Sequence, residues 1–250
     1  MRKIFLAAMS TALFATSCNK FDDNLDLPEG YHFVTVMGVG VDPTDDSDTD
    51  NSTPAEVYFM LDSKETFIVT ENKTKVDIND LKIGERVITG VTLTENVDDS
   101  YNYTAKLYEV VSVILGDNAT VATEEESNAI EDHNLLYIAK AMTLTQGYLN
   151  LLVGIETEKV NDIKFYLVDN QYDEPKEEKE GYLNLELRYD CAGTEGKGSR
   201  YEGYVSFDME SYREKLSDMD GILLTLKTEK SGTLTVEVDS KDLFSDEELE

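Results

Sequence analysis

The side chains best suited to chemistry in this chain are two cysteines, two histidines and a large surplus of carboxylates. Cys18 has the most informative context. It follows the small or polar step Ala15-Thr16-Ser17, an apolar run over residues 4–14, and the basic pair Arg2 and Lys3. A basic start, a short apolar stretch and a small-residue exit make a secretory signal. A cysteine directly after that exit can be acylated and become the new N-terminus. Cys18 is therefore the predicted lipidation site, carrying palmitate-type chains. The apolar stretch and its exit cover 14 residues, short of the roughly 20 that a membrane-crossing helix needs. Plain secretion and an uncleaved anchor are the alternatives, and Ala15 stands where lipoprotein signals usually have Leu.

With Cys18 acylated, Cys191 has no disulfide partner and is expected as a small buried or half-buried filler. A nucleophilic role would need a neighbouring base, and His32 and His133 both lie far from it in sequence. Two histidines and one free thiol are also too few and too scattered for a His and Cys metal cluster to be expected. The run Asp45-Asp46-Ser47-Asp48-Thr49-Asp50 offers alternate carboxylates of the kind that bind calcium, but it lacks the glycine and closing glutamate of a helix-loop-helix site, and a solvated loop is expected. Glycoside hydrolysis needs two carboxylates across a cleft, and among 52 acidic residues the sequence singles out no pair. Gly193, Gly196 and Gly198 precede no helix and so do not make a phosphate loop. The prediction is a non-enzymatic protein with no catalytic residue, no metal ligand and no cofactor. Tyr101, Tyr103, Tyr108, Tyr182, Tyr189, Tyr201 and Tyr204 fall near strand edges and loops. They read either as amphipathic strand packing or as an aromatic patch for a partner.

Charge narrows the choice of partner. The whole chain carries a formal charge of −30. Removing residues 1–17 takes away Arg2 and Lys3 and no acid, leaving 20 basic against 52 acidic side chains, a net of −32. Such a chain has no basic patch to displace counterions from phosphates, which argues against nucleic acid. It is also repelled by anionic lipid, so a covalent lipid is the expected link to a membrane. A protein, peptide or glycan remains as the expected partner.

These candidates need elements to position them. Residues 18–30 are acidic and aperiodic, a tether that reaches roughly 40 Å when extended. Residues 31–117 carry about five strand signals with glycines at the corners, which suits a small OB-like Greek-key barrel. Residues 118–132 are polar and acidic and read as a linker with one helical turn. Residues 133–239 return to short alternating strands, as in an antiparallel β-sandwich, and residues 240–250 are expected to form an acidic disordered tail. The fold class expected is all-β, a barrel followed by a sandwich.

The ordered motifs resemble a known family. They are the signal ending at Cys18, Val57-Tyr58-Phe59-Met60-Leu61-Asp62, Leu81-Lys82-Ile83-Gly84-Glu85-Arg86-Val87, Gly147-Tyr148-Leu149-Asn150-Leu151, Leu185-Glu186-Leu187-Arg188-Tyr189-Asp190 and Val205-Ser206-Phe207-Asp208. Together they look like the NigD-like lipoproteins, over nearly all of residues 18–239. The resemblance implies an N-terminal OB-type domain, a C-terminal β-sandwich, an outer-membrane lipid anchor on the periplasmic side or the cell surface, and an immunity role of bacteriocin type. The family pattern has His-Asn after the arginine, where this chain has Tyr189-Asp190. The expected function is a lipid-anchored envelope protein that binds a partner. The alternatives are an immunity protein and a carbohydrate-active hydrolase.

Overall fold

The computed structural model describes residues 27, 29–38, 56–95, 100–145, 147–159, 162–173, 179–194 and 198–239. The chain is all-β, and its described residues divide into two compact units with the boundary between residues 113 and 114.

The first unit holds β1 (Tyr31–Gly38), β2 (Val57–Leu61), β3 (Thr66–Asn72), β4 (Arg86–Glu95) and β5 (Tyr103–Leu115), the last running past the unit's end. β1 pairs antiparallel with both β2 and β4, β2 with β3, and β4 with β5. A parallel pairing of β3 with β5 closes the ring. This is the five-stranded Greek-key barrel of OB type. Alternate residues fill it: Val34, Val36, Phe59, Phe67 and Leu107 are fully buried, and Phe59 stacks on its cross-strand neighbour Phe67 with ring centroids 5.2 Å apart.

Two of the sequence motifs meet inside this barrel. The turn of Leu81-Lys82-Ile83-Gly84 needs a left-handed residue, and Gly84 supplies it at φ 81°. The turn delivers Arg86 to the start of β4, where the side chain is 1% exposed. Its guanidinium forms a two-pronged ion pair with Asp62, donates to Thr35 Oγ1 and lies 5.7 Å above the Phe33 ring. Asp62, last in the Val57 motif, is thus the counter-charge of the arginine in the Leu81 motif.

The second unit has two sheets. β11 (Ser199–Asp208), β8 (Tyr148–Thr157) and β7 (Tyr137–Thr145) pair antiparallel. Facing them across the core is a five-stranded sheet in the order β13 (Gly232–Asp239), β12 (Gly221–Thr228), β10 (Tyr182–Asp190), β9 (Lys164–Asn170), β6 (Asp117–Val121). Inward residues alternate along each strand, as Leu149, Leu151, Val153 and Ile155 do on β8. Polar motif residues pair here too: Ser206 and Asn150 lie opposite each other and are wholly buried, the serine hydroxyl donating to Asn150 Oδ1.

Two details depart from the sequence reading. β10–β12 and β6–β9 are parallel pairs in a sandwich expected to be antiparallel. A parallel pair requires a crossover, and β11, which lies between β10 and β12 in sequence, belongs to the other sheet. The expected linker over residues 118–132 is also structured. Most of β6 lies in it and forms a sheet edge, and α1 (Glu124–Ala129) follows, capped by the Thr123 side chain. Edge position explains the missed strand: only Val121 of β6 is buried, so no alternation appears. Arg188 pins this segment by donating to the backbone and side-chain oxygens of Ser127 while it also pairs with Glu186. Lys227 holds Asp132 at 2.6 Å.

Candidate functional site

The barrel carries an open cleft of about 380 Å³ lined by Glu65, Thr66, Glu95, Ser100, Tyr101, Asn102 and Tyr103. Three pieces of chain build it. Glu65 ends the tight turn between β2 and β3, a turn that Lys64 permits by taking φ 68°. Glu95 ends β4. Ser100, Tyr101 and Asn102 belong to the β4–β5 connection, and Tyr103 opens β5, opposite Phe67 of β3. The parallel β3–β5 pairing therefore creates the site, because it brings the β2–β3 turn beside the β4–β5 connection.

Hydrogen bonds fix the lining. Asn102 Oδ1 accepts from the Thr66 amide at 2.7 Å and from its hydroxyl at 3.1 Å. Tyr103 donates to Glu65 Oε1 at 2.8 Å, and Tyr101 donates to Glu56 Oε2 at 2.9 Å. The Tyr101 ring lies 5.3 Å from that of Tyr58. The Glu65 carboxylate holds the Tyr103 phenol protonated, raising its pKa; for Tyr101 burial does so first and Glu56 second. The surface so made is negative and aromatic, with phenols committed as donors. Lysine and arginine side chains suit both features, through carboxylate pairing and through contact with aromatic faces.

Of the sequence candidates, Cys18 and the Asp45–Asp50 run lie outside the described residues. Of the tyrosines singled out, Tyr101 and Tyr103 share the cleft. Tyr189 is instead core, stacked on Phe165 with centroids 5.1 Å apart, and Tyr182 lies beneath the Lys179 ammonium, 3.8 Å away. Exposed Tyr137 covers Gly154 directly across the β7–β8 pair and donates to Glu202; a Cβ at Gly154 would meet its ring at 2.6 Å. Cys191 is fully buried, as expected. The expectation that histidine stays distant from it is overturned. The polar atoms of Glu131, His133 and Cys191 lie within 4.8 Å of one another. No local pattern announces this, since 58 residues separate His133 from Cys191. Glu65 and Glu95 were likewise invisible among so many acids.

Residues 119–240 match the family model of the NigD-like C-terminal β-sandwich domain. In fold, the chain is similar to a protein of unknown function from Bacteroides vulgatus, with a TM-score of 0.63 and 23% identity over 84% of this chain and 89% of that one. It is also similar to a NigD-like immunity protein from Bacteroides caccae, with a TM-score of 0.54 and 18% identity over 84% and 92%. A third similar structure, from Bacteroides fragilis, is named provisionally as a lipoprotein; its TM-score is 0.54 and its identity 13% over 83% and 94%. No curated protein matches the chain in sequence. Among the described residues no helix is long and apolar enough to cross a membrane.

Proposed function

We propose, from the premise that this chain carries a NigD-like C-terminal β-sandwich domain, that it is a lipid-anchored envelope protein whose barrel binds a basic protein or peptide segment. The observation that carries the reading is the cleft in which Glu65, Glu95, Tyr101 and Tyr103 converge. In OB folds the β4–β5 connection and the neighbouring strands are the usual ligand-binding edge. A negative, tyrosine-lined groove at that edge favours cationic side chains. The anchor reading rests on Cys18 and its signal, and on the fold shared with the Bacteroides fragilis protein named provisionally as a lipoprotein. Outer-membrane placement follows from the family resemblance.

The test is direct. A fluorescent lysine-rich peptide titrated into the protein should bind at low ionic strength and weaken as salt rises. Glu65→Gln with Glu95→Gln should reduce affinity severalfold, by about threefold to thirtyfold, two exposed charge pairs contributing roughly 0.5–2 kcal/mol together. An affinity unchanged in the double variant rejects the cleft as the binding surface. For the anchor, Cys18→Ala should leave the protein in the soluble fraction; continued sedimentation with washed membranes rejects acylation.

A narrower reading is immunity against a basic toxin. The acidic surface and the fold shared with the Bacteroides caccae immunity protein favour it, since charge complementarity speeds association. Expression should then protect sensitive cells, and loss of the gene should sensitise them.

A further inference from the structure

The sandwich unit places three different metal-ligating groups at the end of β10. Cys191 follows the strand's last residue, Asp190. Residues 131–133 run beside it, and the His133 amide donates to the Tyr189 carbonyl at 2.9 Å. That bond brings the imidazole and the Glu131 carboxylate to the thiol, with His133 Nε2 2.7 Å from Glu131 Oε2. All three ligand atoms lie within 4.8 Å of one another.

We propose that Cys191, His133 and Glu131 form a binding site for a borderline-soft divalent metal of the zinc class, with a fourth position left to water or an exogenous ligand.

The donor set fits this metal. Zinc takes thiolate sulfur at about 2.3 Å, imidazole nitrogen and carboxylate oxygen at about 2.0–2.2 Å, in a tetrahedron. Those bond lengths place ligand atoms roughly 3.3–3.6 Å apart, so small side-chain rotations close the set around an ion. A thiolate among the ligands selects against calcium and magnesium, which take oxygen. The frame is rigid. The Cys191 carbonyl accepts from the Thr194 amide and hydroxyl, and Asp190 Oδ1 accepts from the Ala192 amide.

A second observation points to the same place. Tyr189 sits two residues before Cys191, is 2% exposed, and its hydroxyl has no hydrogen-bond partner among the described residues. Orphaned buried donors are rare and call for an explanation. Cys191 belongs to the same buried cluster, and a metal-bound thiolate there is an acceptor of the kind such a hydroxyl needs.

Access distinguishes a metal site from a nucleophile. Cys191 is wholly buried, so an organic electrophile has no path to it. The Glu131 and His133 side chains, 54% and 24% exposed, give an ion an entry from solvent. Binding is written simply: the metal displaces the thiol proton and any imidazole proton to solvent, with no change of oxidation state.

The experiment uses the full chain, stripped with chelator and titrated with Co(II) and then Zn(II). The expected result is one equivalent of Co(II) bound with a thiolate-to-cobalt charge-transfer band, bleached by Zn(II). Cys18→Ser should keep the band; Cys191→Ser should abolish it; His133→Gln and Glu131→Gln should each weaken Zn(II) binding by at least about tenfold. Glu131 is exposed, so Glu131→Gln decides the matter should Cys191→Ser fail to fold. Absence of the band, its loss on Cys18→Ser, or an affinity unchanged in Glu131→Gln and His133→Gln overturns the proposal. Rapid alkylation of Cys191 by iodoacetamide, equal with and without zinc, overturns it in favour of a reactive thiol.

Discussion

At the scale of single residues, several polar side chains that the motifs supply pair with one another, Arg86 with Asp62 and Ser206 with Asn150. Arg86 and Asp62 illustrate what that costs and gives. Two ions removed from water regain little beyond what burial takes, but removing one strands the other. Asp62→Ala should therefore destabilise the barrel by about 3–5 kcal/mol, read as faster hydrogen exchange of β1 and β4 amides. Converting both Asp62 and Arg86 to leucine and methionine should cost much less. Tyr212 gives a second, pH-dependent case. It is 4% exposed, and burial, assisted by the charge of Asp169, pushes its pKa up to about 12. The folded state binds this proton more tightly than the unfolded chain, whose phenol titrates near its ordinary 10. Its stabilising contribution is complete below pH 10 and is lost as pH rises from 10 through about 12. Urea midpoints measured across that window should fall, and Tyr212→Phe should flatten the fall.

At the scale of elements, most strands were legible in the sequence, either because one face is buried and the residues alternate, as in β2, or because a short run is apolar on both faces, as in β1. The hairpin around Asp62-Ser63-Lys64 and the closing pair β12–β13 were also marked by the turn residues between their strands. Pairing partners were not legible. Nothing within β3 or β5 declares a parallel union, yet that union builds the cleft. Nor does anything within β10 declare that residues 131–133 lie beside its end, so the sequence alone leaves His133 remote from Cys191. β6 was missed for a physical reason: a polar edge strand with one inward residue has no period to detect. Two predictions belong here. Arg188→Ala removes the donor that clamps Ser127; with about 1.5–3 kcal/mol per charged hydrogen bond, amide protection over α1 should drop by about tenfold or more. Gly221→Ala should break the β12–β13 pairing, because a Cβ there would stand 2.1 Å from the Val238 carbonyl oxygen. Circular dichroism and a lowered unfolding temperature would report it, whereas Gly84→Ala should act through its φ of 81° alone and cost roughly 1 kcal/mol.

At the scale of the whole molecule, charge dominates. A chain with 52 acidic and 22 basic side chains repels itself, and that repulsion is screened by salt. Raising ionic strength from about 10 mM to about 150 mM shortens the screening length from roughly 30 Å to roughly 8 Å. The unfolding temperature should rise by several degrees over that range, while binding of a lysine-rich peptide weakens. Opposite salt responses of stability and binding, measured on one sample, would separate self-repulsion from partner attraction. The architecture also limits how chains of this kind can diverge. Positions 62 and 86 stand 24 residues apart, on separate elements, yet share one energetic fate. Lineages that lose the acid at the first site should lose the guanidinium at the second in step, and a survey of sister sequences would reveal the two columns drifting as a single inherited character.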